Sequence, residues 1–149
     1  MKIIGFAGDH AGFELKEITR KHVESLGYPC RDFGAFTADR SDYPDYAHPL
    51  AAAVEAGEVD MGMAFCGTGN GINITLNKYR TIRSAICWLP EIARLARAHN
   101  DANILVMPAR FVAPEEMAAI ADAFLNTAFE GGRHQRRVEK ISAKNGLVQ

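Results

Sequence analysis

Residues 65–73 read FCGTGNGIN: a thiol, Cys66, followed at once by Gly67, Gly69 and Gly71, with Thr68 and Asn70 between them. Glycines at this spacing let successive main-chain N–H groups turn toward one point. At the start of a helix such groups hold an anion. That anion is either a phosphate or a negative charge that exists only during a reaction. The spacing is G-x-G-x-G, not the G-x-G-x-x-G of a dinucleotide loop, and no GK[ST] follows to make a P-loop. A tight turn chosen for packing alone is the plainer alternative. Cys66 beside these amides has surroundings that favour a thiolate, whereas Cys30 and Cys87 read as small apolar residues buried in the core. A redox thiol would need a resolving cysteine, and neither of the others is close in sequence.

Other polar groups stand where a ligand could meet them. Asp9 and His10 follow the first apolar run, and Arg110 follows the last. Arg133 and Arg137 are four apart on a helical pattern and share a face, the spacing of a phosphate grip; Arg136 points elsewhere. Taken alone, RHQRRVEKISAK, with five Lys/Arg against one Glu, is also what a solvated helix face looks like. His99 alone reads as a helix-end cap or surface residue, and His22 and His48 read the same way.

The elements that must position these groups alternate. Strands are expected at 3–8, 28–33, 59–65, 83–88 and 103–107. Helices are expected at 11–26, 45–56, 71–78, 90–99 and 114–128, with a further one after Gly131-Gly132. Gly27 and Gly57 are helix stops, Pro90 a helix start, and 34–44 a polar loop. Five strands alternating with helices predict a parallel sheet covered on both faces, an α/β three-layer sandwich, in a single domain over 1–149. Ligands in such sheets sit at the carboxyl ends of the strands. Asp9, Cys66, Trp88 and Arg110 all follow strands. His99-Asn100 instead precedes one, on the opposite edge, which hints that His99 serves a neighbour's pocket. Trp88 either lines the gap between Cys66 and the arginines or fills the core.

Composition narrows the classes. A chain of 149 residues can bury about 70% of its unfolded surface and needs no staples. A net charge of −1 argues against nucleic acid or a membrane surface as a partner. No apolar run reaches the roughly 20 residues of a membrane span, and MKIIGFAGDH lacks a signal-peptide layout. Three cysteines without a CxxC suit a reducing cytoplasm.

Seven stretches together resemble the family of ribose-5-phosphate isomerase type B, within the group that includes galactose-6-phosphate isomerase subunits. They are GDHAGFELK (8–16), SDYPDYA (41–47), GEVDMGMAFCGTGNGI (57–72), NK (77–78), ARAHNDANIL (96–105), Arg110 and EGGRHQRRVEKI (130–141). The resemblance implies a Rossmann-like fold with an extra C-terminal helix and a homodimer, often paired again, whose site lies at the subunit interface. It implies no metal or cofactor, and the interconversion of an aldose phosphate with its ketose phosphate. One branch of the family takes the carbon-bound proton with a cysteine before the glycine loop, the other with a glutamate after it. Here Cys66 occupies the first position and Ile72 the second, so the resemblance makes Cys66 the base. It gives ring opening to His99 with Asp9 assisting, and the phosphate to Arg110, Arg133 and Arg137 with His10 nearby. Thr68 and the amides of Gly67, Gly69, Asn70 and Gly71 receive the oxyanion, and Asn100 and Tyr43 are further substrate contacts. The implied substrate is ribose 5-phosphate. The alternatives are another phosphosugar of the family (a tetrulose 4-phosphate, galactose or allose 6-phosphate) or a non-catalytic nucleotide-binding module.

Overall fold

The computed structural model describes residues 1–143. Lys144 at the end of the expected last helix, and the final residues of the expected domain, lie outside that range. The order of elements is β1 (Ile4–Gly8), α1 (Phe13–Ser25), β2 (Cys30–Asp32), α2 (Pro44–Glu55), β3 (Met61–Cys66), α3 (Asn70–Leu76), β4 (Ser84–Ile86), α4 (Pro90–Asn100), β5 (Ile104–Pro108), α5 (Pro114–Asn126) and α6 (Arg133–Ile141). All neighbouring strands run parallel, in the order β2-β1-β3-β5-β4.

Alternation along the strands sorts the core into two layers. Met61, Met63 and Phe65 of β3 face one way with Leu105 and Met107, against Leu15, Val23, Ala93, Ile120 and Phe124 of α1, α4 and α5. Ala64 and Cys66 face the other way with Ile104 and Val106, against Leu50, Ala51, Ile72 and Leu76 of α2 and α3. Cys66 is thus on the α2/α3 side. The edge strands β2 and β4 are shorter than the apolar runs that encode them. Each has one neighbour, and backbone bonds run on past the three strand residues, among them Phe33 N–H to Phe6 (2.8 Å), Gly8 N–H to Gly34 (2.8 Å) and Cys87 N–H to Val106 (2.8 Å).

The order in which strands are added reverses between β1 and β3, since β2 lies on one side of β1 and β3 on the other. This is the crevice where α/β sheets take ligands. Gly12 brings α1 against it: a Cβ there would run into the main chain of Phe65. The loop from Gly34 is anchored from below. Lys16, fully buried, holds both carboxylate oxygens of Asp32 at 2.7 and 2.8 Å. One of those oxygens also accepts the N–H of Gly34. Removing one partner of such a pair costs about 3–5 kcal/mol.

Candidate active site

The crevice at the carboxyl ends of β1, β3 and β5 collects one group of the expected residues. Asp9 is 6% exposed, and its carboxylate accepts the Gly12 N–H at 3.1 Å. The ring Nδ1 of His10 faces the Ser41 peptide (3.0 Å to O, 3.2 Å to N), and the Ser41 hydroxyl accepts the His10 N–H at 3.1 Å. Ser41 had no part in the sequence reading, although it stands in the stretch SDYPDYA; only folding brings it to His10.

Cys66 ends β3, 5% exposed. Its carbonyl accepts from Ala109 and that of Gly67 from Arg110, at 2.9 and 3.0 Å, which ties the ends of β3 and β5 together. Gly67 leaves room for the Arg110 guanidinium: a Cβ at Gly67 would stand 3.0–3.1 Å from Nη1, Cζ and Nε. Gly69, in the left-handed region (φ 79°), turns the chain into α3, and a Cβ at Gly71 would run into the ring of Tyr43. Gly69 is therefore required by its turn and Gly71 by close approach. The Thr68 hydroxyl accepts the Asn70 N–H at 3.2 Å. Among the described residues no main-chain carbonyl accepts from the N–H groups of Gly67, Thr68 or Gly69.

Beside this loop opens a cavity of about 460 Å³, lined by Thr68, Asn70, Ile86, Trp88, Pro108 and Phe111. Trp88 is 49% exposed and is therefore a lining residue, with no place in the core. Neither of the other cysteines shares these surroundings. Cys87 is buried and Cys30 only half-buried, a correction to its expected place in the core. Burial pushes their thiols up, to about 12 and about 11. His22 pairs with Asp122 and His48 with the Tyr79 hydroxyl, both at 2.7 Å.

A second group lies at the other end of the sheet. α4 runs back against the strands for eleven residues, about 16 Å at 1.5 Å per residue. His99 and Asn100 therefore sit at the amino ends, a full strand length from Cys66. The ring of His99 stacks on that of His134 from α6, centroids 4.2 Å apart and 13° from parallel. The carboxylate of Glu130 stands 4.0 and 3.8 Å from their Nε2 atoms. Glu130 is tied to α4 by its N–H to Ala98 (3.0 Å), and Ser142 caps the Arg80 carbonyl (2.7 Å). So α6 docks on its own chain at these points while leaving Arg133 and Arg137 exposed. They line a cavity of about 490 Å³ with Arg136 and Lys140. Arg136, expected to point elsewhere, thus shares their depression, because residues three apart on a helix are neighbours. Asn100 lines a separate cavity of about 570 Å³ with Lys78, Arg80 and Arg83. The sequence reading overlooked His134 and Glu130. A histidine four residues after a glutamate was visible in EGGRHQRR, but its burial depends on α4.

One chain thus carries two half-sites: a thiol with an amide loop at one end, a histidine pair and an arginine cluster at the other. A parallel α/β sheet with a thiol-and-glycine loop at its crevice defines the class, and the chain belongs to the ribose/galactose isomerase family, whose model matches residues 4–141. It is 47% identical to ribose-5-phosphate isomerase B of Escherichia coli (strain K12) over 96% of both chains. Among solved structures it is similar to a ribose 5-phosphate isomerase from Thermotoga maritima (TM-score 0.93, 46% identity, 95% of this chain and 97% of that one). It is also similar to ribose-5-phosphate isomerase B from Mycoplasma genitalium with bound ribulose-5-phosphate (TM-score 0.88, 39% identity, 94% and 93%).

Proposed function

We propose that the chain interconverts ribose 5-phosphate and ribulose 5-phosphate as a dimer in which each site joins the crevice of one subunit to the α4/α6 end of the other. The observation that carries the reading is Cys66 at the carboxyl end of β3, directly before N–H groups that no main-chain carbonyl uses among the described residues. The half-site separation supports the dimer, since a full strand length divides Cys66 from His99 within one chain.

Ribose 5-phosphate arrives mostly as a furanose. His99 of the partner subunit gives a proton to the ring oxygen while Asp9 takes one from the hydroxyl on C1, and the ring opens to an aldehyde. Histidine suits the task because its ordinary pKa near 6.5 allows donation and acceptance at neutral pH. The Cys66 thiolate then removes the proton from C2, and the electron pair moves through C1 onto the aldehyde oxygen. The amides of Gly67, Thr68, Gly69 and Gly71 meet that oxyanion; losing one such donor costs about 10²–10³ in rate. The thiol returns its proton to C1, the C2 hydroxyl proton passes to O1, and the ketone forms at C2. Arg133 and Arg137 of the partner subunit grip the phosphate, with Arg110 and His10 approaching it from the crevice. Tyr43 and Asn100 hold hydroxyls. All of these groups come from the protein, and no step calls for a metal or cofactor.

The proposal takes the whole chain as one domain working in a reducing cytoplasm, with its three cysteines free. Among the described residues, no helix is long and apolar enough to cross a membrane. Proton exchange in heavy water, followed by NMR across four-, five- and six-carbon aldose phosphates, tests the substrate. Deuterium should enter C2 fastest with ribose 5-phosphate. Exchange confined to a tetrose or hexose phosphate would move the assignment to a sibling reaction, and none on any sugar would end it.

A further inference from the structure

Among the described residues, the Nε2 of His134 is the buried side-chain nitrogen or oxygen without a hydrogen-bond partner. The ring is thus held by packing, and the packing it has is the stack on His99. Three ligand atoms of His99, Glu130 and His134 lie within 4.8 Å of one another, which invites a cation. The near-parallel rings argue against one, because in-plane lone pairs on stacked rings run side by side and do not converge. What the arrangement does provide is one carboxylate shared by two imidazoles, each about 4 Å from it. A proton on either ring would draw Glu130 in.

We propose that His134 is a positioning residue for ring opening: its stacked imidazole fixes the plane of His99 and shares Glu130 with it, so that His99 is the ring that carries the proton. This rests on the reading of His99 given above. The groups facing the pair are Glu130 from the preceding loop, Arg133 and Arg137 from α6, and Arg94 from α4, whose charge reaches Glu130. Burial, then the charges of His99, Arg133 and Arg137, hold His134 below the usual histidine range against the opposing pull of Glu130. A lowered value means His134 is neutral at neutral pH and gains a proton only at lower pH. There a second positive ring 4.2 Å away would drive the proton off His99.

The test compares His99→Ala, His134→Ala and His134→Phe in the intact enzyme. Each is assayed on ribose 5-phosphate, which needs ring opening, and by C1–H exchange of ribulose 5-phosphate. The ketose cannot close a five-membered ring with its 5-oxygen phosphorylated, so its exchange needs no opening. His134→Ala should lower kcat on ribose 5-phosphate about tenfold, with KM and ribulose exchange unchanged. His134→Phe keeps a flat ring and should recover kcat to within about threefold. Its acid limb should move to lower pH, because phenylalanine cannot take up the second proton that His134 gains on acidification. If His99→Ala keeps full activity on ribose 5-phosphate, the reading of His99 fails. If His99→Ala is impaired while His134→Phe keeps the wild-type acid limb and His134→Ala the wild-type kcat, the role of His134 is refuted and that of His99 stands. An equal loss of ribulose exchange in His134→Ala would also refute it, by making the defect a general one.

Discussion

Cys66→Ala is expected to reduce deuterium entry at C2 of ribose 5-phosphate by about 10²–10⁴-fold, the range of a general base, while phosphosugar affinity changes by less than about threefold. The two effects separate in the proposed mechanism, where the thiol works on the reacting carbon and arginines on another element hold the phosphate. Alanine removes one sulfur from a core cluster that also holds Ala7, Ala64 and Ile72, so the fold should survive. Cys30 and Cys87 cannot substitute. Burial pushes their thiols up to about 11 and about 12, so at neutral pH almost no thiolate forms at either, and neither lies at the crevice. Exchange at the wild-type rate in Cys66→Ala would remove the thiol from the reaction, and a matching loss of binding would give it a structural role instead.

The second large effect concerns subunits. Cys66→Ala and His99→Ala should each be nearly inactive in converting ribose 5-phosphate. A heterodimer of the two, isolated through different affinity tags after co-expression, should regain roughly half the wild-type activity. A two-fold dimer has two sites; here one carries both substitutions and the other none. The expectation follows from topology: α4 carries His99 away from the end of the sheet where β3 delivers Cys66. A heterodimer as inactive as its parents would mean that each site is built within one chain.

That split was readable from chain order, because His99-Asn100 precedes β5 while Cys66 follows β3, and a parallel sheet sends these to opposite ends. The five strands, both covered faces and the glycine loop were equally legible, since apolar runs, Gly27, Gly57 and Pro90 are local signals. The position of β5 between β3 and β4 was not. Strand order is set by which apolar faces fit after the chain has returned, and no local residue records it. Cys30 shows the limit for burial, because a cysteine on an edge strand meets the core on one side only. His134 shows it for the site. Eight of the nine residues of α6 are partly or fully exposed, so its pattern spells a solvated face, and the one buried position depends on contact with α4. Ser41 escaped notice for the same reason, its partner His10 being thirty-one residues away.

The most direct measurement is a crystal structure of the dimer with a phosphorylated hydroxamate that imitates the enediolate. The account predicts the Cys66 sulfur about 3–3.5 Å from the atom standing for C2, the hydroxamate oxygens against the amides of Gly67, Thr68, Gly69 and Gly71, and the phosphate on Arg133 and Arg137 of the partner subunit. A sulfur turned toward Ile72 and away from the ligand, or a phosphate bound with no residue from the second chain, would contradict it.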